Sequence, residues 1–288
     1  MLPATFTRQL RSLQFLVIPA ILLYGLWMCW PATLYYFNTD DTANLAVARL
    51  STYSQDLWRI LSVWNNFGRL TGMLYVRAMY DWFGFSPWPY RVASLLFCTF
   101  NLILLNELLR KLTRNPWVRY LAMLIAAFNG CFWSIYASAG TMFDVLGLTF
   151  MLAAVLFYAA TRRHPNRLSR SVVLALLTSF GIASKEIAYA LPPILLLYEL
   201  VIIPSNGGYD WIDFRRALPG LAVPFAVVLI AGLGTIYQSS VYAMDAYRPV
   251  PSLARFLETT KAHSELLMFR RIGLSAETWL MLWLALLA

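Results

Sequence analysis

The sequence predicts an all-α, polytopic membrane protein, and three observations carry that prediction. First, hydrophobic residues make up 60% of the 288 positions and charged residues only 13%, about half the charge of a soluble domain. Second, the apolar residues gather into runs near the ~20 residues a helix needs to cross hydrocarbon. Third, every short arginine-rich turn between those runs falls on one side when the N-terminus is placed in the cytoplasm, as the positive-inside rule requires. The alternating ten-residue segments of an outer-membrane barrel are absent. The net charge of +9 sits at the membrane margins, where it sets topology and does not form a groove for nucleic acid. Cys29, Cys98 and Cys131 are odd in number and have no metal-type spacing, so neither a disulfide framework nor a zinc site is indicated.

The expected spans are about 14–36, 91–109, 117–137, 143–161, 170–184, 187–203 and 216–237, a seven-helix module over residues 1–237. The first is too long for a signal-peptide core and reads as an uncleaved anchor. It ends at Tyr36-Phe37-Asn38-Thr39-Asp40-Asp41, an acidic pair beside lipid, where ionised groups are costly enough to suggest function. One aspartate can cap a helix starting at Thr42. Two in tandem exceed that role, because only one occupies the cap.

The first outer loop, 37–90, continues with Leu57, Ile60, Leu61 and Trp64 at helical spacing, with Asp56 and Arg59 off that face. Leu70, Met73, Leu74, Arg77 and Tyr80 extend the pattern after Gly68. These are expected to be interfacial helices, with Trp58, Trp64, Trp82 and Trp88 at headgroup depth. Arg69 follows a polar break, where its guanidinium can reach a lipid phosphate or snorkel to headgroups.

Spans two and three are joined by a basic turn, and Glu107 is expected to pair with Arg110 or Lys111. The next turn, Ser138-Ala139-Gly140-Thr141-Met142-Phe143-Asp144, is outer and free of basic residues. Its small residues allow close approach, and Asp144 opens the fourth span from the side of Asp40 and Asp41. From Ser171 to Ile203 the apolar stretch runs 33 residues, roughly 50 Å of helix against a ~30 Å core. Gly181, Pro192, Pro193 and the charged Ser184-Lys185-Glu186 predict two short helices meeting at an outer, wet break.

Residues 204–217 read as a cytoplasmic connector. Residues 238–277 form an outer, lid-like loop containing His263, the one histidine on that side. Thr278 to Ala288 is too short to cross and is expected to begin a truncated further span.

Walker loops, zincin helices and hydrolase elbows are absent, which argues against nucleotide-fuelled chemistry. The expected site is therefore Asp40, Asp41 and Asp144 with Arg69, Lys185 and Glu186 on one outer face. An outer-face transferase needs a donor delivered through lipid, and a polyprenyl-phosphate sugar fits. Asp41 or Asp40 would accept or orient the acceptor hydroxyl proton. Arg69 and Lys185 would stabilise the phosphate charge, and Glu186 would meet a sugar hydroxyl. A divalent cation held by Asp40, Asp41 or Asp144 is the one cofactor left open.

The acidic pair after an apolar first span, the interfacial helices, the Gly140 turn and the Lys185 break together resemble the GT-C superfamily of integral-membrane glycosyltransferases. The likeness is to bacterial members similar to aminoarabinose and protein O-mannosyl transferases. The resemblance implies a catalytic first-loop aspartate (Asp41 or Asp40), with Asp144 as second acid. It also implies inverting transfer from a polyprenyl-linked donor to an envelope acceptor, on the outer face of a bacterial inner membrane. Two other classes fit parts of the pattern, a transporter or flippase of a lipid-linked substrate and a non-catalytic envelope scaffold. The first predicts paired broken helices in two repeats, and no internal repeat is found.

Overall fold

The computed structural model describes residues 16–21, 23, 24, 27, 37–62, 69–113, 115–128, 140–162, 167–203, 211–241 and 252–267, with isolated positions 275, 278 and 281. It is all-helical, with no strand among the described residues. Among the described residues, three helices are long and apolar enough to span a membrane.

The described residues of the first loop form three helices, α1 (Thr39–Leu50), α2 (Tyr53–Leu61) and α3 (Leu70–Phe83). The start of α1 is a reciprocal cap. Asn38 Oδ1 accepts from the Asp41 N–H at 2.7 Å, and the Asp41 carboxylate accepts from the Asn38 N–H at 3.3 Å. This corrects the expectation of an aspartate cap before Thr42. Asn38 has the extended backbone a cap needs, and Asp41 sits at the third helical position, where a carboxylate can reach back to the cap.

On α2 the expected face is also corrected. Asp56 and Ile60 are buried, while Leu57, Trp58 and Leu61 are exposed. Leu57, Trp58 and Leu61 thus face outward, as expected of a helix lying in a membrane interface. Trp82 and Trp88 are likewise exposed. The guanidinium of Arg77 on α3 ties the loop together. Its Nε donates to Asp81, and its Nη1 donates to the carbonyls of Ala48, Arg49 and Ser51. Those carbonyls end α1 and have no helical donor of their own. Gly84, at φ +56°, then stops α3, and its N–H reaches Tyr80 O at 2.8 Å.

The apolar helices of the bundle follow. α4 (Pro87–Leu112) begins with proline at a first-turn position, where its missing N–H costs nothing. α5 (Pro116–Phe128) is capped by Asn115, whose Oδ1 accepts from the Trp117 N–H at 3.0 Å. α6 (Met142–Thr161) is the central element. It packs on α4 and on α7 (Arg167–Ser184), and most of its apolar surface is buried. Ala154, Val155, Tyr158, Leu174 and Leu221 form its main core. Most of α4 instead exposes apolar side chains such as Leu96, Phe100 and Ile103. That is costly in water but not in lipid. Ile21, from the first expected span, packs on Leu102, Met123 and Ala127.

The 171–203 stretch is not one helix. α7 ends at Ser184, Lys185 is extended, and a 3₁₀ turn (Glu186–Ala190) leads into α8 (Leu191–Leu197) and a π turn (Tyr198–Ile202). Pro192 and Pro193 fall in the first turn of α8, where proline is tolerated. Lys185 touches Asp144 at the start of α6, whereas Glu199 touches Arg162 just past its end. The chain therefore turns at Lys185 and runs back along α6. α9 (Trp211–Val241) returns beside α7 with Pro219 and Pro224 inside it. α10 (Leu253–Leu267) carries exposed Leu253 and Phe256 in the expected lid region. The side chain of His263, residues 242–251 and nearly all of 278–288 lie outside the described residues.

Candidate functional site

Asp41 is the most constrained of the predicted site residues. Besides the Asn38 contacts, its Oδ1 accepts from the Gly140 N–H at 2.6 Å, 99 positions away in sequence. Its Oδ2 lies 3.8 Å from Arg91 Nη2, and both side chains are almost wholly buried. The small-residue turn before α6 lets the backbone come this close. Asp41 thus braces α1 against α4 and the turn leading into α6. A cavity of about 10 Å³ opens beside it, lined in part by Phe37, Asn44, Tyr90 and Gly140. That holds about one water and no sugar. Its neighbour Asp40 lies exposed on the first turn of α1.

The remaining predicted residues meet in two adjacent ion pairs. Asp144 Oδ2 is 3.4 Å from Lys185 Nζ, and Glu186 Oε1 accepts from Arg69 Nε at 3.2 Å. Gly140 and Asp144 are separated by about one helical turn, ~6 Å, so Asp41 belongs to the same end of the bundle. Asp40, Asp41, Asp144, Arg69, Lys185 and Glu186 are thereby collected at one end, although they come from α1, α3, α6 and the α7 break. The pairs differ from Asp41 in exposure. Asp144 and Glu186 have 43% and 50% of their side-chain surface open to solvent.

Arg69 is the one non-glycine residue with positive φ among the described residues, at φ 59° and ψ 45°. It opens α3 from the left-handed region, a conformation costing about 1 kcal/mol or more for such a residue. Gly147 lets the break approach α6, because a Cβ there would lie 3.1 Å from Lys185 Cβ. Asp40, Asp41 and Asp144 do not form a shared cation site. No group of three or more His, Cys, Asp or Glu side chains placed to hold a metal occurs among the described residues. The carboxylate of Asp41 is also already committed to Asn38, Gly140 and Arg91.

At the opposite end lies a network the charge pattern did not single out. Glu199 is fully buried and grips Arg162 through two hydrogen bonds, Nε to Oε1 at 2.5 Å and Nη2 to Oε2 at 2.7 Å. Tyr158 donates to the same Oε1 at 2.7 Å. Arg170 donates through Nη1 to Arg162 O at 2.7 Å. Arg162 and Arg170 are both buried, so neither serves only as an exposed topology charge. The available signal was Glu199 itself, a lone carboxylate in the apolar run after Pro193. The expected Glu107–Arg110 pair forms at 2.8 Å.

No family model matches this chain, and neither a curated protein nor a solved structure matches it.

Proposed function

We propose that this chain is the membrane module of a GT-C-type glycosyltransferase, transferring a sugar from a polyprenyl-phosphate donor to an envelope acceptor. In this reading the module has seven spans, and the acidic end faces the periplasm of a bacterial inner membrane. The observation that supports it best is the collection of carboxylates and cations, most of them partly open to solvent, from four parts of the chain at one end of an apolar bundle. Charges placed so close to lipid carry a cost that function would justify.

The chemistry divides by exposure. Asp40 and Asp144 are open enough to accept or orient the proton of an acceptor hydroxyl as it attacks the anomeric carbon. The bond to the donor phosphate breaks as that attack proceeds, inverting the sugar. Lys185 and Arg69 meet the negative charge growing on the departing phosphate. Their resting partners, Asp144 and Glu186, hold both cations in place until phosphate oxygens replace them. Asp41 supports this arrangement from beneath and does not touch the reacting atoms.

The test is complementation of a deletion strain with the native gene carrying Asp40→Asn, Asp144→Asn or Lys185→Ala, followed by profiling of envelope glycans. Loss of one glycan at normal protein level is the expected result. Unchanged glycans in all three strains would refute the proposal.

A further inference from the structure

α9 brings no charged side chain to the acidic end, since its Asp213, Arg215 and Arg216 lie near its start. It nevertheless reaches that end. The hydroxyl of Tyr189, in the 3₁₀ turn after the Lys185 break, lies 3.1 Å from Thr235 Oγ1 on α9. Thr235 Oγ1 already donates to Ala231 O at 2.9 Å, and a hydroxyl has one proton to give. Tyr189 is therefore the donor and Thr235 the acceptor.

The break is held on both sides. Upstream, the Lys185 N–H donates to Gly181 O at 3.0 Å and Ser184 Oγ to Phe180 O at 2.8 Å, so α7 fixes where it begins. Downstream, the Ala188 N–H donates to the Lys185 carbonyl at 3.1 Å and closes the turn. The fit is tight, because a Cβ on Gly181 would lie 3.2 Å from Ala188 Cβ. Side chains three apart eclipse in a 3₁₀ turn, which sets Tyr189 over Glu186 along one edge. Tying Tyr189 to α9 fixes that edge.

Its direction matters because the two charges next to it have partners on different helices. Lys185 is extended, at φ −158° and ψ 149°, and successive side chains of an extended chain point to opposite sides. Lys185 accordingly meets Asp144 on α6, while Glu186 meets Arg69 at the head of α3. A roll of the turn would carry both side chains off their partners at once.

We propose that Tyr189 and Thr235 are positioning residues of the acidic end: their hydrogen bond fixes the roll of the Glu186–Ala190 turn, and with it the aim of Lys185 and Glu186. In the transfer reaction proposed above, on which this role rests, Lys185 and Arg69 receive the donor phosphate. α9 thus sets the phosphate grip without touching the reacting atoms.

The experiment uses the purified full chain in detergent and compares Tyr189→Phe, Thr235→Ala and Thr235→Ser. Lys185 is labelled with an amine-reactive ester and read by mass spectrometry against Lys111 and Lys261 in the same sample. In the wild type the Lys185 ammonium lies against Asp144, which shields it from the reagent. Tyr189→Phe and Thr235→Ala are expected to label Lys185 roughly three- to tenfold faster, the size expected from one such hydrogen bond. Thr235→Ser keeps the hydroxyl and is expected to label at the wild-type rate. Glycan output in the complemented strain is expected to fall in Tyr189→Phe and to be normal in Thr235→Ser. Unchanged Lys185 labelling in Tyr189→Phe, or an equal rise at all three lysines, would overturn the positioning role, even where Lys185→Ala abolishes the glycan. Faster Lys185 labelling with glycans unchanged in both Tyr189→Phe and Lys185→Ala would keep the positioning and refute the transfer reaction. Should Thr235→Ala not fold, Tyr189→Phe and Thr235→Ser decide.

Discussion

Asp40 and Asp41 are chemically identical neighbours, yet replacing each by asparagine should give opposite results. Asp41→Asn keeps an oxygen for the Gly140 N–H but places an amide where Oδ2 now faces Arg91 and the Asn38 N–H. Removing one partner of a buried ion pair costs about 3–5 kcal/mol, because the other charge is stranded. The 3.8 Å separation from Arg91 is longer than a hydrogen bond, which favours the lower figure, about 3 kcal/mol. For a chain of this size that corresponds to a fall in Tm of roughly 6–12 °C. Asp40 is exposed, and a surface change of this kind should stay within about 0.5 kcal/mol.

The assay is a thermal melt of both variants in one detergent, with glycan output normalised to folded protein. Asp41→Asn should melt early and keep activity per folded molecule. Asp40→Asn should melt with the wild type and lose activity. A double variant, Asp41→Asn with Arg91→Gln, removes the stranded cation and should recover part of the loss, which the cycle reads as coupling. Asp41→Asn melting with the wild type, or additive losses in the cycle, would refute the reasoning.

Three further outcomes follow from the geometry. Gly72→Ala should destabilise by about 1–3 kcal/mol, since its Cβ would overlap the Phe143 ring; Phe143→Leu in the same chain should restore part of the Tm. Glu199→Gln should cost about 3–5 kcal/mol by stranding Arg162, seen as a lowered Tm without loss of glycan output per folded molecule. The Asp81 carboxyl is held below its ordinary pKa, first by the Tyr53 hydroxyl and then by Arg77. Its contribution is therefore complete above the unfolded value near 4 and is lost as pH falls through the lower folded value. Tyr53→Phe should melt below the wild type at neutral pH, and the two curves should converge in acid.

Much of the fold was legible because membrane helices announce themselves by composition. The runs around 91–109, 143–161 and 216–237 are apolar nearly throughout, and each lies within a helix long enough to cross a membrane. The turn at Lys185 was legible too, since 33 apolar residues fit neither one crossing nor two comfortable ones. Side-chain direction was less so. Periodicity put Asp56 on the wrong face of α2, because a helix between protein and lipid can bury a polar residue while its leucines face outward. The rank order within the acidic pair could not be read either. Whether Asp40 or Asp41 turns inward depends on Gly140 and Arg91, which lie 99 and 50 positions from Asp41. Arg162 and Arg170 read as topology signals because positive-inside counting treats every arginine alike. Their burial is set by Glu199 and Gly220, which arrive from later helices.

Exposure also separates the two ends of the bundle by what each can do. The Asp144–Lys185 and Arg69–Glu186 pairs are partly solvated, and pairs of that kind contribute about 0–1 kcal/mol. An incoming phosphate can displace either carboxylate from its cation at little cost. The Arg162–Glu199 pair is desolvated and bidentate, and opening it would cost several times more, about 3–5 kcal/mol. A reaction cycle that exchanges partners at every turnover can use the first kind of contact and not the second. Asp41 lies at the exposed end but has the burial of the other. In the proposed reaction the working groups are therefore the ones whose pairing is weak, and the strongly held groups keep them aligned.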